Sequence, residues 1–180
     1  INFFLLKRWK DAYGKHSLIS PQISPTKGIT LGSKLIHVII EVRSINRKKL
    51  NNHSSARYIK NLDELISALS SIPYIKVTAQ DFAKLDFMEQ VKLSHSLGIF
   101  ISMHGAGTTH LFHSAVGNDN CCGLVELFPD TSIEFHSAHG YGNLARMHGF
   151  YHDRLVGRSG STTSTGTVVD VGTIVKLVGK

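Results

Sequence analysis

Cysteine is almost missing from this chain: there are two in 180 residues, Cys121 and Cys122, side by side. Adjacent cysteines rarely bridge to one another, because the geometry is strained. A disulfide framework is therefore not what holds this fold, although pairing of either with a cysteine elsewhere stays open. The pair also lacks the spacing of a zinc site. Its expected role is buried packing at a strand start. Long apolar runs are missing as well. Nothing approaches the roughly 18 consecutive apolar residues of a transmembrane helix. The stretch from Ile1 to Leu6 is too short for the apolar region and cleavage site of a signal peptide. Ile1 rather than Met stands first, so the chain reads as a piece of a longer protein. Negative charge is scarce: 13 acidic against 20 basic residues give a formal net charge of +7. That imbalance favours anionic partners such as nucleotides, sugar phosphates, nucleic acid or membrane surfaces. No basic motif interleaved with aromatics occurs, so nucleic acid is not an expected partner.

What is present is enough apolar sequence for one domain with a real core, 42% of the residues. Residues 1–33 are poorly patterned, with Pro21, Pro25, Gly28 and Gly32 breaking any regular element, and read as a lead-in or hinge. The domain proper spans 34–180. Leu35 to Val42 is a dense β-branched run of the kind found in buried strands. Leu62, Leu65, Ile66 and Leu69 recur at helical spacing, with Asn61 placed as N-cap. Tyr74 to Thr78 is a second strand. Asp86 and Glu89 have capping-box spacing and open a helix through Leu97. Gly98 to Met103 is a third strand, and Leu124 to Phe128 a fourth, ended by Pro129. Between them Thr108 or Thr109 is placed to cap a short helix through Leu111 and Ala115. A helix from Ile133 to His148, interrupted near Gly140 and Gly142, precedes a fifth strand at Tyr151 to Val156. Ser159 to Gly166 reads as a flexible loop. Val168 to Val178 fits either a strand or a final helix. Strands alternating with helices predict an α/β fold, a parallel sheet with helices on both faces. Ligands of such sheets bind at the carboxyl ends of the strands.

That rule ranks the segments that can carry chemistry. His104-Gly105-Ala106-Gly107 follows a buried strand. Its glycines would let backbone N–H groups approach an anion, and the helix start adds a partial positive charge. Thr108 and His104 could add side-chain donors. A tight turn with a structural histidine fits the same residues. Arg43 and Arg47, with Ser44 between them, suit bidentate binding of a diphosphate; plain surface charge is the alternative. The stretch from Arg43 to Lys60 carries six basic residues and no acidic one, which a solvated loop would also explain. Glu126 lies in an apolar run, where a carboxylate is costly unless paired. It could meet ribose hydroxyls at the rim or form a core salt bridge to a residue such as Arg43. His110 and His113 share a helix face near His104, but no carboxylate or cysteine at standard spacing completes a metal site, and none is expected. His136, His139, His148 and His152 are expected on helix surfaces or near the cleft. Asp119 lies in a polar turn without the ligand series of a calcium loop.

Taken in order, EVRSINRKKLNN, MEQVKLSHSLGIFISMHGAGTTHLFH, GLVELFP and YGNLARMHGFYHDRL resemble the catalytic domain of glycosyltransferase family 61. The resemblance spans roughly residues 35 to 155 and is strongest from Glu89 to Tyr151. The set is fairly specific; each part alone is not. The family includes O-linked N-acetylglucosamine transferases of the secretory pathway and plant xylosyl- and arabinosyltransferases. The resemblance implies a Rossmann-like sheet forming the C-terminal donor-binding lobe of a two-lobed GT-B enzyme. It implies inverting, metal-independent transfer from a nucleotide sugar, mostly UDP-linked, to a protein or glycan hydroxyl, with no cofactor. It also implies work in the Golgi or endoplasmic reticulum lumen by a type II membrane protein anchored outside this chain. Carried onto this sequence, Arg43, Ser44 and Arg47 would hold the diphosphate. His104, Gly105, Ala106, Gly107 and Thr108 would line the same cleft, and Glu126 would take the ribose or stabilise it. Two departures stand out: Thr108-Thr109-His110 replaces Leu-Thr-Asn-type residues, and Gly117 to Gly123 is longer and more polar. No carboxylate here is named as general base, and that residue is expected outside the chain. A nucleotide-sugar-binding module without transfer activity is the alternative reading.

Overall fold

The structure is a computed structural model and describes residues 35–43, 58–114, 123–128, 139–159 and 166–179. The expected hinge over 1–33 and both cysteines lie outside the described residues. Five parallel strands form one sheet in the order β2-β1-β3-β4-β5. They are β1 (Ile36–Glu41), β2 (Ile75–Gln80), β3 (Ile99–Met103), β4 (Gly123–Phe128) and β5 (Tyr151–Val156). The helices are α1 (Leu62–Ser70), α2 (Phe87–His95), α3 (His139–Met147) and α4 (Val171–Val178). A two-stranded antiparallel pair, β6 (Arg158–Ser159) and β7 (Thr167–Val168), precedes α4.

Side chains alternate across each strand, so the two faces carry different residues. Val38 and Ile40, Ile101 and Met103, and Val125 and Leu127 pack on one face with Leu65 and Leu69 of α1 and Ile174 and Val178 of α4. Ile39, Phe100 and Leu124 pack on the other with Phe82, Leu111 and Ala145, with Leu93 of α2 against them. Helices therefore cover both faces, as the alternation of elements predicts. The second face also carries every buried polar side chain of β1, β3 and β4: Glu41, Ser102 and Glu126. All three sit toward the carboxyl ends of their strands, under the turn that follows β3.

Local chemistry explains the element ends. The Asp86 carboxylate accepts from the Glu89 N–H at 2.8 Å, and the Glu89 carboxylate accepts from the Asp86 N–H at 2.9 Å, the expected capping box. Asn61 stands at the N-cap of α1 but does not cap it. Its amide clasps Val169 instead, accepting from the N–H at 2.9 Å and donating to the carbonyl at 3.0 Å. The open reading of Val168 to Val178 resolves into the end of β7 and a helix. Asp170 caps that helix by accepting from the Thr173 N–H at 3.0 Å. Helix α3 runs straight through Gly140 and Gly142 rather than breaking there.

Candidate functional site

Strand β1 lies between β2 and β3, so the sheet grows in opposite directions from this point. In open parallel sheets the crevice beyond the carboxyl ends at such a switch point is the ligand site. Two segments meet there, Glu41 to Arg43 from β1 and His104 to Gly107 from β3. Glu41 is only 7% exposed. Its carboxylate accepts a short hydrogen bond from the Ser102 hydroxyl and lies 3.6 Å from Nε of Arg43. The Thr108 hydroxyl is 3.4 Å from that of Ser102. Burial pushes the Glu41 carboxyl above its usual range, and Asp81 adds to this; Ser102 and Arg43 oppose it. A cleft of about 390 Å³ opens beside it, lined by Glu41, Arg43, Asp81, Phe82, Gln90 and His110, among others. The His110 ring stacks on Phe82 at 4.1 Å, and burial holds its pKa below the ordinary histidine value, with His113 adding to the effect. A smaller cleft of about 190 Å³ also has Glu41 and Arg43 in its wall.

The turn after β3 is shaped by its glycines. Gly105 has φ 152°, a backbone conformation that side chains rarely tolerate. A Cβ on Gly107 would collide with the Glu41 carboxylate. Gly107 is therefore required by the carboxylate beneath it as well as by any ligand above. The chain continues as a 3-10 helix, Ala106–His113, with Gly105 rather than either threonine at its N-cap position and no side chain capping that end. Its first turn bond runs from the Thr108 N–H to the Gly105 carbonyl at 3.0 Å. The N–H groups of Ala106 and Gly107 precede that bond, as the first donors of a helix do. Thr108 does not present a donor at the surface. It is fully buried and faces Ser102. The Thr109 hydroxyl donates back to the Ala106 carbonyl at 2.6 Å.

Beside this turn, three polar residues from neighbouring strands form a line. Glu126 is fully buried. Its two carboxylate oxygens are held by Nδ1 of His104 at 2.6 Å and Nε2 of His152 at 2.8 Å. His152 is 2% exposed and His104 17%. His104 stacks on Phe128 at 4.6 Å and meets the edge of Tyr141 at 5.4 Å. Helix α3 reaches the network because Gly142 has no side chain: a Cβ there would sit 2.5 Å from Cε1 of His152.

The expected site residues are thus partly united. Arg43, Gly105, Ala106 and Gly107 share the switch point, with His104 next to them. Glu126 reaches the rim through His104, and its partners are histidines, not Arg43. Ser44 and Arg47 lie outside the described residues. His110 and His113 are engaged with aromatic rings, Phe82 and Phe87. Among the described residues no three His, Cys, Asp or Glu side chains are placed to hold a metal. Two features of the site escaped the sequence reading: Glu41 itself, and the burial of His152, which is expected there on a helix surface or near the cleft. Glu41 closes a β-branched run much as Glu126 interrupts one, and that shared oddity was the available signal. His152 sits in an otherwise unremarkable edge strand, with nothing to mark it as buried.

With this geometry in view, comparisons with known proteins are informative. The profile of the family described as Glycosyltransferase 61 matches residues 6–121. An EGF domain-specific O-linked N-acetylglucosamine transferase of Xenopus laevis is 36% identical over 121 residues, covering 63% of this chain and 19% of that protein. The enzyme of the same name from Mus musculus is 44% identical over 57 residues, 31% of this chain and 11% of that one. The Drosophila melanogaster enzyme is 34% identical over 62 residues, 34% of this chain and 12% of that one. The chain therefore spans no more than about a fifth of these relatives. Among solved structures, a flavodiiron core from Synechocystis aligns with TM-score 0.43 and 16% identity over 82% of this chain and 37% of that one. That likeness is too distant to argue from.

Proposed function

This chain belongs to glycosyltransferase family 61, and from that premise we propose that it forms the donor-binding lobe of an inverting transferase using a UDP-linked sugar. The observation that carries the reading is the placement of Arg43 after β1 and of the His104 to Gly107 turn after the adjacent β3, at the switch point of the sheet, with Glu41 touching both. The arginine and the turn offer donors and positive charge where an anion would sit, and neither requires a metal. As the acceptor hydroxyl gives its proton to a base expected outside this chain, its oxygen bonds to the anomeric carbon and the bond from that carbon to the diphosphate oxygen breaks. Negative charge then grows on the leaving UDP, and the Arg43 guanidinium and the turn donors would stabilise it. The acceptor is taken to be a hydroxyl on a protein or glycan. An EGF-like domain is the first to try, because the relatives are named for it. The compartment that follows is the lumen of the endoplasmic reticulum or Golgi.

The test is isothermal titration of UDP into wild type and Arg43→Ala. Losing a charge-assisted contact to the diphosphate should weaken binding by about 1.5–3 kcal/mol, or roughly ten- to a hundredfold. Absence of binding at millimolar UDP, or equal affinity in the folded variant, would sink the proposal.

A further inference from the structure

The line from His152 through Glu126 to His104 has an orientation. A carboxylate only accepts, so His104 donates from Nδ1–H to one oxygen of Glu126 and His152 donates from Nε2–H to the other. With its Nδ1 committed inward, His104 has Nε2 left to meet a ligand. In the neutral imidazole that nitrogen carries a lone pair and repels a phosphate oxygen. Only after taking a proton can it donate to one. Glu126 lies directly behind, buried, with the two histidines as its side-chain partners among the described residues, and is placed to balance the positive charge so formed. We propose that Glu126 and His152 are positioning residues that make donor binding proton-linked: the anionic donor and one solvent proton enter together, the proton residing on Nε2 of His104.

This rests on the donor reading above. Among the described residues, the charged and titratable groups around His104 are few. Glu126 faces it from β4 and Tyr141 from α3. His152 stands behind Glu126 on β5, with Arg154 of β5 in register with Glu126. Glu41 and Arg43 occupy the neighbouring β1 rim. Glu126 is the one that pairs with the ring. His152 saturates the far oxygen of Glu126, so the carboxylate cannot turn away from His104. The close approach of Gly142 over His152 locks that ring in turn.

UDP-N-acetylglucosamine is the right probe. Its diphosphate is a diester with no phosphate proton titrating near neutrality, unlike the terminal phosphate of UDP. Titration of the full chain near pH 8, in two buffers of different ionisation enthalpy, counts the protons taken up. Wild type should take up a proton on binding the donor, up to one per site, and its affinity should fall by up to about tenfold per pH unit as pH rises. Glu126→Gln should still bind, more weakly, with proton uptake much reduced. His152→Leu should behave likewise, and His152→Gln, which keeps a donor toward Glu126, should recover the uptake. Binding by wild type without proton uptake overturns the inference and leaves the donor reading standing, even if every variant fails to fold. Unchanged uptake in a folded Glu126→Gln also overturns it, and a His152→Gln as defective as His152→Leu removes His152 from it. No binding by wild type overturns both readings.

Discussion

At the scale of single residues, Glu41 is the most consequential side chain in the fold. It is buried beneath Gly107, bonded to Ser102 and beside Arg43. Its carboxyl titrates above the usual range because burial disfavours the charged form. An unfolded glutamate titrates near about pH 4.3. The proton that Glu41 retains in the fold therefore adds stability below that pH, and this stability is lost as pH rises through the raised value. Glu41→Gln mimics the protonated form and should escape the loss. Thermal unfolding of both proteins from about pH 4 to 8 should show wild type falling progressively behind the variant and then levelling. Parallel curves would mean that Glu41 is not the group responsible. Arg43 and the glycines could be picked out from spacing because their residue types are rare in a buried rim. Glu41 left a weaker signal, its place at the end of a β-branched run, because a carboxylate at the end of a strand is ordinarily exposed and the turn folding back over it is what buries it.

At the scale of elements, period and capping were legible, and partnership across the sheet was not. The Asp86–Glu89 box and the five strands of the sheet follow from local sequence. Asn61 has the right type and place for a cap, yet its amide serves Val169, 108 residues away. Nothing local encodes that choice, because it depends on α4 and β7 docking beside α1. The two asparagine and aspartate positions should therefore respond differently to removal. Asp86→Ala loses an exposed cap and should cost about 1 kcal/mol. Asn61→Ala leaves the buried Val169 with an unpaired N–H and carbonyl, and should cost about 1–3 kcal/mol. Urea unfolding measures both, and hydrogen exchange at the Val169 amide should speed up only in Asn61→Ala. In the same way, Gly140 and Gly142 look like helix breakers by propensity. The packing of α3 over His152 overrides that preference and gives Gly142 a reason to be there.

For the whole molecule, the order of the strands brings Arg43 and the turn after β3 to one rim, and on the proposed reading this decides what the reaction should need. Arg43, His104 and the helix-start N–H groups would occupy the role that a divalent cation fills elsewhere. Sugar transfer by a transferase that contains this lobe together with its general base should accordingly persist in excess chelator, measured as product formed from UDP-N-acetylglucosamine. Abolition by chelator and recovery with added manganese would contradict this. The order of the strands carries one more consequence. Glu41 and Ser102 sit 61 residues apart, on strands that become neighbours only after β2 and α2 have been laid down between them. Contacts so distant along the chain cost loop-closure entropy and slow folding. The pocket is thus assembled by the completion of the fold, and a partly folded chain has no rim with which to capture an anion.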